Sequence, residues 1–404
     1  MITYNEQQLN AIKLCVEWYF RDSYRKPIFT IGGLAGTGKS TVVKIIIMML
    51  GIPEYDVLFA TLTSKASLVL RLKGNKSNTI HRTFYQVFKN KKSFSFTLKK
   101  HIPSNIRLIV LDEFSMINQK MLDDILSFGC PVIALGDPGQ LPAIFGSNVY
   151  VDDPNKLDVF LTQVMRQDDT SGILDLADMA RKGEPIPFGD YKASKVTTFD
   201  KVIDNIEKYD TVLCYSNKHR RMLNALVRQK LGYTSIYPSK GEKILCLMNN
   251  YNYELEYNDI PINITNGLFG IVTEDAVIET QHEDTDYDLI RLKFVPDFLA
   301  NMKNDTNFSF NIVCFKEPFD QYQKDPTKEA FIETMYNDKI EDDSLGNICM
   351  IDYGYICTTH KSQGSDWNNV LIVNDFKGSR DTYNKWLYTG ITRAKKSVTI
   401  AALE

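Results

Sequence analysis

Ile31-Gly-Gly-Leu-Ala-Gly-Thr-Gly-Lys-Ser-Thr41 decides the fold, because Gly33, Gly38, Lys39 and Ser40 occupy the fixed positions of the pattern GxxxxGK[ST]. The apolar run before it reads as a buried strand, and the run after it is typical of a helix. In that context the glycines let backbone N–H groups face an anion, and the helix N-terminus adds positive potential. The stretch predicts a phosphate-binding loop for a nucleoside triphosphate with its magnesium. The alternative is a glycine-rich turn that only joins strand to helix.

The polar positions of this loop suit the chemistry of such a ligand. Lys39 is placed to reach the β- and γ-phosphates, and the Ser40 hydroxyl can ligate Mg²⁺. The expected nucleotide-binding positions are Gly33, Gly36, Thr37, Gly38, Lys39, Ser40 and Thr41. Upstream, Gln8 lies in an amphipathic helix and can both donate and accept hydrogen bonds, as an adenine edge requires. The predicted cofactors are therefore ATP and Mg²⁺, although Gln8 on its own is more typical of an exposed helix residue.

Length and composition limit the class of protein. The chain has 404 residues, of which 44% are hydrophobic and 24% charged, a balance typical of a soluble globular protein of two to four domains. No segment approaches a membrane span, and the first residues lack the pattern of a secretion signal, so we expect a cytoplasmic protein. The seven cysteines are scattered without a CxxC pair, and the five histidines show no metal-ligand spacing.

The formal net charge of −3 is divided unevenly along the chain. Residues 241–348 hold 8 Lys and Arg against 22 Asp and Glu, a net charge of −14, so the rest of the chain has a net charge of +11. A basic remainder suits a polyanionic partner such as nucleic acid, whereas a solvated surface is the simpler explanation of any such surplus.

Acidic residues follow a second apolar run, Arg107-Leu-Ile-Val-Leu-Asp-Glu113. Opposite a phosphate loop, Asp112 is placed to hold the Mg²⁺ shell and Glu113 to polarise the attacking water. A further strand, residues 131–137, leads to Gln140, which could sense the γ-phosphate. Because these strands alternate with helices, we expect a parallel sheet with its ligands at the carboxyl ends of the strands.

A second α/β pattern begins past residue 160. Strand-like runs lie at residues 211–217, 354–359, 370–374 and 397–402. Between them, residues 241–348 are rich in short β-type runs, asparagine and acids, which indicates an inserted β domain. Arg166 and Arg393 are candidates for arginine fingers that reach the γ-phosphate across a domain cleft, although an isolated arginine is far more often a surface charge.

These pieces together resemble the superfamily 1 helicases, in particular the RecD-like branch that includes the phage Dda-type enzymes. The motifs that carry the resemblance keep the family's order over nearly the whole chain. They are Gln8, GTGKST at 36–41, Thr-Ile-His at 79–81, DEFSM at 112–116, GDPGQLP at 136–142, MRQ at 165–167, THKSQG at 359–364 and YTGITRA at 388–394.

The resemblance implies an α/β fold with two RecA-like parallel-sheet motor domains. The first would span 1–160, with a small hairpin insertion at about 84–103; the second would span 161–240 plus 349–404, interrupted by an acidic, β-rich, SH3-like insertion at 241–348. ATP would bind in the cleft between the motor domains, and single-stranded DNA would cross their top, with translocation from 5′ to 3′. A replication or single-strand-binding protein is a candidate partner, and the protein is expected to be a monomer in the host cytoplasm if phage-encoded.

The resemblance also assigns roles to particular residues. The catalytic set it implies is Lys39, Asp112, Glu113, Gln140, Arg166 and Arg393, with Ser40 and Asp112 at the metal. Gln8 would contact adenine, and Gln363 and Gly364 would join the phosphate loop in binding the nucleotide. The residues expected to touch DNA are Thr63, Lys65, His81, Thr359, His360 and Ser362.

The hairpin expected at 84–103 contains Ser93-Phe-Ser-Phe-Thr97, whose phenylalanines alternate among flanking lysines. Aromatic side chains set among cations are used to stack or split nucleic acid, so Phe94 or Phe96 is a candidate separation pin at the fork duplex. Alternatively, the phenylalanines pack the hairpin onto the domain.

Two other function classes fit parts of the sequence. A phosphate-loop phosphotransferase or nucleotide switch would need no nucleic-acid track, and its ATPase activity would be indifferent to DNA; it leaves the second α/β domain unexplained. A binding module with a vestigial ATP site is disfavoured because Lys39, Asp112, Glu113 and Arg393 are all present.

Overall fold

Two largely parallel sheets and one largely antiparallel sheet organise the described part of the chain in this computed structural model. It describes residues 4–90, 93–142, 154–165, 170–279, 288–302, 308–328 and 347–403. Within those residues there are three six-stranded sheets and two two-stranded ones. No helix in the described ranges is long and apolar enough to cross a membrane. All seven cysteines are free and buried.

The first half of the chain builds one sheet and a hairpin. Its strands are β1 (Ile28–Gly33), β2 (Val57–Thr61), β3 (Ser77–Thr79), β4 (Tyr85–Asn90), β5 (Ser93–Leu98), β6 (Leu108–Asp112), β7 (Val132–Gly136) and β8 (Val159–Leu161). Its helices are α1 (Glu6–Arg21), α2 (Lys39–Leu50), α3 (Ser64–Leu72), α4 (Ile80–Phe84) and α5 (Gln119–Leu126). The sheet has the order β3-β2-β6-β7-β1-β8 with every pair parallel.

Burial explains why the central strands of this sheet are mostly apolar. All six residues of β1 are buried, because helices cover both faces of a parallel sheet. One face packs on α1 and α2 through side chains such as Ile12 and Ile46, and the other packs on α4 and α5 through side chains such as Phe84 and Leu122. The carboxyl ends of the strands therefore share one edge, where the loops that follow β1, β6 and β7 meet.

The second half of the chain builds two further sheets. Its strands are β9 (Gly189–Tyr191), β10 (Ser194–Thr198), β11 (Thr211–Cys214), β12 (Lys243–Cys246), β13 (Asn250–Tyr257), β14 (Ile260–Ile264), β15 (Phe269–Glu279), β16 (Leu289–Pro296), β17 (Phe310–Phe315), β18 (Ile348–Cys349), β19 (Ile351–Tyr353), β20 (Ile356–Thr358), β21 (Trp367–Asn374) and β22 (Ala394–Ala402). Its helices are α6 (Ile173–Lys182), α7 (Asp200–Ile203), α8 (Asn217–Lys230), α9 (Glu317–Lys324) and α10 (Arg380–Ile391).

The second sheet repeats the parallel architecture of the first. Its order is β20-β11-β21-β22-β10-β9, and only the pair β9–β10 is antiparallel. The third sheet, β18-β17-β16-β15-β12-β19, is antiparallel apart from the pair β17–β18. Its last strand ends at Tyr353, past the insertion boundary expected at residue 348.

Buried charges join the third sheet to α8 of the second domain. Arg220 and Arg221 lie 2.8 and 3.2 Å from Asp352 Oδ2, and all three side chains are inaccessible to solvent. Arg228 contacts Glu242 through two hydrogen bonds of 2.6 and 2.9 Å. Because an unpaired buried charge is strongly destabilising, these pairs fix the insertion on the helix.

Candidate nucleotide and nucleic-acid site

The phosphate loop lies between the end of β1 and the start of α2. Gly36 and Gly38 both have φ of +81°, a conformation that side chains rarely adopt. A Cβ on Gly38 would also lie 2.8 Å from the Gln8 Nε2 atom. The loop therefore needs glycine at this position, and the N-terminus of α2 provides the positive potential that an anionic ligand requires.

Lys39 lies over the loop itself. Its ammonium donates hydrogen bonds to the carbonyl oxygens of Gly33 and Leu34, at 2.6 and 3.1 Å. The Ser40 side chain is exposed in the first turn of α2, and Thr41 is half-buried. The cation and the hydroxyl that the sequence predicts to bind phosphate and metal are thus on one loop and its helix.

Gln8 supports the loop from behind. Its amide nitrogen donates to the Thr37 carbonyl at 3.0 Å, while its amide oxygen accepts from the Asn5 backbone at 3.1 Å. Only 3% of the residue is exposed. The same amide thus closes the capping box of α1 and fixes α1 to the phosphate loop. The adenine contact expected of Gln8 stays a prediction.

Two carboxylates follow β6 on the same edge of the sheet. Asp112 accepts a hydrogen bond from the Glu113 backbone at 2.9 Å, and Glu113 has a left-handed backbone with φ of 55°. Burial raises the pKa of both carboxyl groups, and the charge of Asp112 raises the pKa of Glu113 further. The positive charges of Lys39 and Arg393 act in the opposite direction on Glu113. Strained backbone and shifted pKa values are both common at functional sites.

The donor set fits magnesium with ATP. One hydroxyl and one carboxylate, from Ser40 and Asp112, leave room for phosphate oxygens and water, which is how proteins usually bind this hard cation. Among the described residues no group of three or more His, Cys, Asp or Glu could hold a metal alone.

The second domain contributes Arg393, which is 6% exposed. Its guanidinium donates to the carbonyl oxygens of Thr389 at 3.0 Å and Ser365 at 3.2 Å. These bonds hold the cation at the end of α10, where its charge lowers the pKa of Glu113 in the first domain. Arg166, the other predicted arginine finger, lies outside the described residues.

Gln140 follows β7 and is 4% exposed. In the described part of the chain its side-chain oxygen has no hydrogen-bond partner. Because a buried polar atom without a partner is costly, this amide is suited to contact a bound ligand or water.

Hydrogen bonds join the loop after β7 to α10 across the domain boundary. The Tyr388 hydroxyl donates to Asp137 Oδ2 at 2.7 Å, and the Leu141 backbone donates to Thr389 Oγ1 at 2.9 Å. The backbone N–H of Ala35 in the phosphate loop donates to the Tyr388 hydroxyl at 3.4 Å. Asp137 and Tyr388 were missed by sequence reasoning, although both lie within motifs that carry the resemblance, GDPGQLP and YTGITRA.

Other predicted positions also lie at this boundary. Gln363 Nε2 donates to the Leu141 carbonyl at 3.2 Å. Gly364 has φ of +77°, and a Cβ there would lie 3.1 Å from the Cβ of Ala66 in α3. The two residues thus join the domains through packing and a hydrogen bond, and their contact with nucleotide stays a prediction.

His81 and Phe96 are neighbours on the first domain, with ring centroids 4.9 Å apart. Phe96 lies on β5 of the hairpin and is 50% exposed. The side chain of Phe94 lies outside the described part of the structure. Burial lowers the pKa of His81, which favours the neutral imidazole. The structure thus brings an exposed aromatic ring of the hairpin next to a residue expected to touch DNA.

Lys65 crosses the domain boundary. Its ammonium lies 4.3 Å from the ring centroid of Phe269 and 5.4 Å from that of Trp367. Burial lowers its pKa, and the negative charge of Asp297 opposes that effect. Such cation–π contacts stabilise the packing of α3 against the second half of the chain. The DNA contact expected of Lys65 stays a prediction.

The hydroxyls expected to touch DNA make intramolecular hydrogen bonds. Thr63 caps α3 by accepting from the Ala66 backbone at 3.2 Å. Thr359 and Ser362 are fully buried, and the Ser362 hydroxyl donates to the Thr359 carbonyl at 2.7 Å. His360 is half-buried, with its ring centroid 6.2 Å from that of Tyr215.

Comparison with known families agrees with this geometry. A family model described as "AAA domain" matches residues 3–200, and one described as "UvrD-like helicase C-terminal domain" matches residues 353–401. The two matches cover the residues of the phosphate loop and those of α10, respectively.

Several curated proteins are similar to this chain. An uncharacterized protein of Methanocaldococcus jannaschii is 25% identical over 92% of this chain and 36% of its own length. The ATP-dependent DNA helicase dda of Enterobacteria phage T4 is 26% identical over 51% of this chain and 53% of its own. The RecBCD enzyme subunit RecD of Buchnera aphidicola is 23% identical over 92% of this chain and 70% of its own. The chain thus spans 36% to 70% of the length of these relatives.

Solved structures share the fold. A complex described as two coordinating Pif1 helicases at forked double-stranded DNA has a TM-score of 0.53 and 16% identity, covering 99% of this chain and 92% of that chain. Pif1 of Bacteroides, in complex with ADP-AlF3 and single-stranded DNA, has a TM-score of 0.51, 16% identity and the same coverage.

Proposed function

We propose that this chain is a superfamily 1 helicase of the RecD-like branch, and that it is an ATP-dependent DNA helicase that translocates on single-stranded DNA and unwinds duplexes. The proposed direction is 5′ to 3′. The dda and RecD relatives motivate the DNA track, and Pif1 neighbours solved with single-stranded or forked DNA agree with it.

One observation carries the proposal. The loop after β7 in the first domain is hydrogen-bonded to α10, the helix that ends two residues before Arg393, through Asp137 to Tyr388 and Leu141 to Thr389. A nucleotide bound at Lys39 would therefore act on both domains, because its phosphates would face groups from each. A phosphotransferase or switch without a track would not need that second domain, so it is the less favoured function.

The proposed roles follow from position. Lys39 neutralises the phosphates, Ser40 and Asp112 hold Mg²⁺, and Glu113 orients the attacking water. Gln140 and the arginines Arg166 and Arg393 respond to the γ-phosphate. Closure of the cleft on ATP and its opening after hydrolysis would alternate the grip of the two domains on DNA, which moves the protein one small step per cycle.

We place the DNA across the boundary between the domains. Thr63, Lys65 and His81 would contribute from the first domain; Thr359, His360 and Ser362 from the second. Because the hydroxyls are hydrogen-bonded within the chain and the Lys65 ammonium lies over two aromatic rings, these groups would have to exchange partners when DNA binds. Phe96 is the proposed separation pin because its ring is exposed beside His81.

ATP hydrolysis measured with and without single-stranded DNA tests the track, and unwinding of duplexes with 5′ or 3′ tails tests the direction. We expect DNA to stimulate hydrolysis and only 5′-tailed duplexes to be unwound. Hydrolysis that is indifferent to DNA would contradict the helicase and favour the phosphotransferase or switch. Unwinding of 3′-tailed duplexes alone would contradict only the direction.

A further inference from the structure

A groove with a basic rim and an apolar floor lies on the first domain, away from the nucleotide site. Its volume is about 660 Å³, and it is bounded by α1, by the segment after β5 and by the segment after α5. Arg107 and Pro131 line it and immediately precede β6 and β7. The groove therefore lies at the amino ends of these strands, whereas the phosphate loop and Asp112 lie at the carboxyl ends.

The charge of the groove has one sign. Among the described residues that line it are Lys99, Lys100, His101 and Arg107, but no Asp or Glu. Lys100, His101 and Arg107 are exposed, whereas Lys99 is engaged by the Arg82 and Thr83 carbonyl oxygens at 2.8 Å. Three cationic or titratable groups thus face solvent without a carboxylate among the lining residues.

Two carboxylates on neighbouring segments lie outside the groove. Asp56 accepts a hydrogen bond from Asn105 at 3.0 Å, and Asp124 accepts one from the Tyr85 hydroxyl at 2.8 Å. Neither aspartate lines the groove. An anionic ligand in the groove would therefore meet positively charged side chains and no carboxylate among the lining residues.

The floor of the groove is apolar and neutral. Ile102, Ile106 and Phe128 lie in it and are partly buried against the core of the first domain. Burial raises the pKa of the Cys130 thiol to about 11, so this side chain is uncharged at neutral pH. Apolar side chains left half-covered beside cations are suited to bind a ligand that is itself both apolar and anionic.

We propose that this groove binds a short acidic peptide segment of a partner protein, with a large apolar side chain of the segment on the floor and its carboxylates at Lys100 and Arg107. The volume is that of a site for a few side chains, and it is too small for a folded domain. Recognition of acidic motifs by clustered cations is a common mode of peptide binding. The inference is independent of the proposed helicase activity, because the groove shares no residue with the nucleotide site.

A nucleic-acid strand fits this groove less well. The residues expected to contact DNA, such as Thr63 and His81, follow β2 and β3 and therefore lie toward the carboxyl edge of the sheet. The floor is mostly aliphatic, from Ile102 and Ile106, and such side chains pack on an apolar anchor of a peptide better than on a phosphate backbone.

Fluorescence anisotropy of labelled peptides tests the proposal on the full chain. The probe is a short run of aspartates that ends in two phenylalanines; one control peptide ends in two serines, and another has lysines in place of aspartates. We expect the acidic aromatic peptide to bind, its affinity to fall with salt, and both controls to bind at least about tenfold more weakly.

Charge reversal locates the binding site. Lys100→Glu with Arg107→Glu should weaken the acidic peptide at least about tenfold, whereas the matched pair Lys13→Glu with Lys120→Glu, on exposed residues outside the groove, should change it less than about twofold. Thermal unfolding of both double variants checks that they fold. Equal effects of the two pairs, or equal binding of all three peptides, would overturn the proposal.

Unlabelled oligo-dT provides the remaining comparison. If the groove is a peptide site, oligo-dT will not displace the peptide, and the double variant in the groove will bind oligo-dT as well as the control pair does. If oligo-dT displaces the peptide, and the groove variant loses as much affinity for oligo-dT as for the peptide, the groove binds nucleic acid instead.

Discussion

The Tyr388 hydroxyl lies 2.7 Å from Asp137 Oδ2, although Asp137 follows a strand of the first domain and Tyr388 is on a helix of the second. The same hydroxyl accepts a hydrogen bond from the Ala35 backbone in the phosphate loop. Burial and the charge of Asp137 raise the pKa of Tyr388 well above its ordinary value, so the phenol stays protonated and donates. One side chain of the second domain thus contacts two nucleotide-site loops of the first.

Tyr388→Phe tests this contact. Removal of the hydroxyl takes one hydrogen-bond donor from the buried Asp137 carboxylate and leaves it the Gly139 backbone N–H. We therefore expect a loss of stability of about 1–3 kcal/mol and a lower rate of DNA-stimulated ATP hydrolysis. Tyr383→Phe is the matched control, because the Tyr383 hydroxyl bonds only Asn374 within its own domain in the described structure. Thermal unfolding and steady-state hydrolysis are the measurements. Equal effects of both variants on hydrolysis would contradict a role in coupling.

Lys39→Ala should abolish ATP hydrolysis and leave the fold intact. In the described structure the ammonium bonds only the Gly33 and Leu34 carbonyl oxygens of its own loop, so it is not part of the core and is free to act on the phosphates as proposed. Lys44→Ala, on the same helix but exposed, should retain activity. Hydrolysis by Lys39→Ala near the wild-type rate under saturating DNA would rule out the proposed role.

How far the sequence predicts this site depends on how local each feature is. The phosphate loop and the Asp112–Glu113 pair could be located because each follows its own strand directly, and parallel strands bring their carboxyl ends to one edge. The α/β fold with a parallel sheet could be predicted for the same reason, because the alternation of strands and helices is visible along the chain. The structure confirms it.

Contacts between distant segments could not be read in the same way. Lys65 was assigned to DNA by its motif, but its neighbours Phe269 and Trp367 come from strands that lie about 200 and 300 residues further along the chain. Gln8 was assigned to adenine, and its amide proved to bond the loop backbone. No periodicity in a single sequence reports which side chains meet when two domains pack.

Asp112→Asn and Glu113→Gln should change stability in a pH-dependent way. Burial raises both carboxyl pKa values, so between the ordinary carboxyl pKa and the raised one the folded chain binds more protons than the unfolded chain. Stability without nucleotide therefore falls as the pH rises through that window. We expect both variants to unfold at a higher temperature than wild type at neutral pH, with the difference shrinking toward pH 4, while Glu113→Gln turns over ATP poorly.

Asp178 is the control for this prediction, because its pKa is shifted in the opposite direction. Hydrogen bonds from Lys182 and Arg181 lower the pKa of Asp178, so its contribution to stability is present above the ordinary carboxyl pKa and is lost as the pH falls. Asp178→Asn should therefore never be more stable than wild type at neutral pH. Thermal unfolding across the pH range without nucleotide distinguishes the two cases, and no gain in either active-site variant would contradict the buried-charge argument.

The uneven charge predicts how DNA affinity depends on salt. If single strands lie on the basic motor domains, the logarithm of affinity should fall with the logarithm of salt by about 0.7 per phosphate contact. Neutralising the acids in residues 281–288, of which only Asp288 lies in the described part, should hardly change that slope. A large change in the slope would put the insertion against the DNA. An affinity independent of salt would contradict the proposal that single-stranded DNA lies on the basic motor domains.

Phe96→Ala tests the separation pin. The ring is half exposed and 4.9 Å from His81, and stacking on an aromatic side chain contributes about 1–3 kcal/mol per base, so strand separation should fall while DNA-stimulated hydrolysis stays largely unchanged. Phe20→Ala, an exposed phenylalanine on α1, should affect neither activity. Unwinding, hydrolysis and thermal unfolding are measured on the same preparations. If unwinding and hydrolysis fall together with thermal stability, Phe96 packs the hairpin onto the domain; if neither activity falls, the pin lies elsewhere.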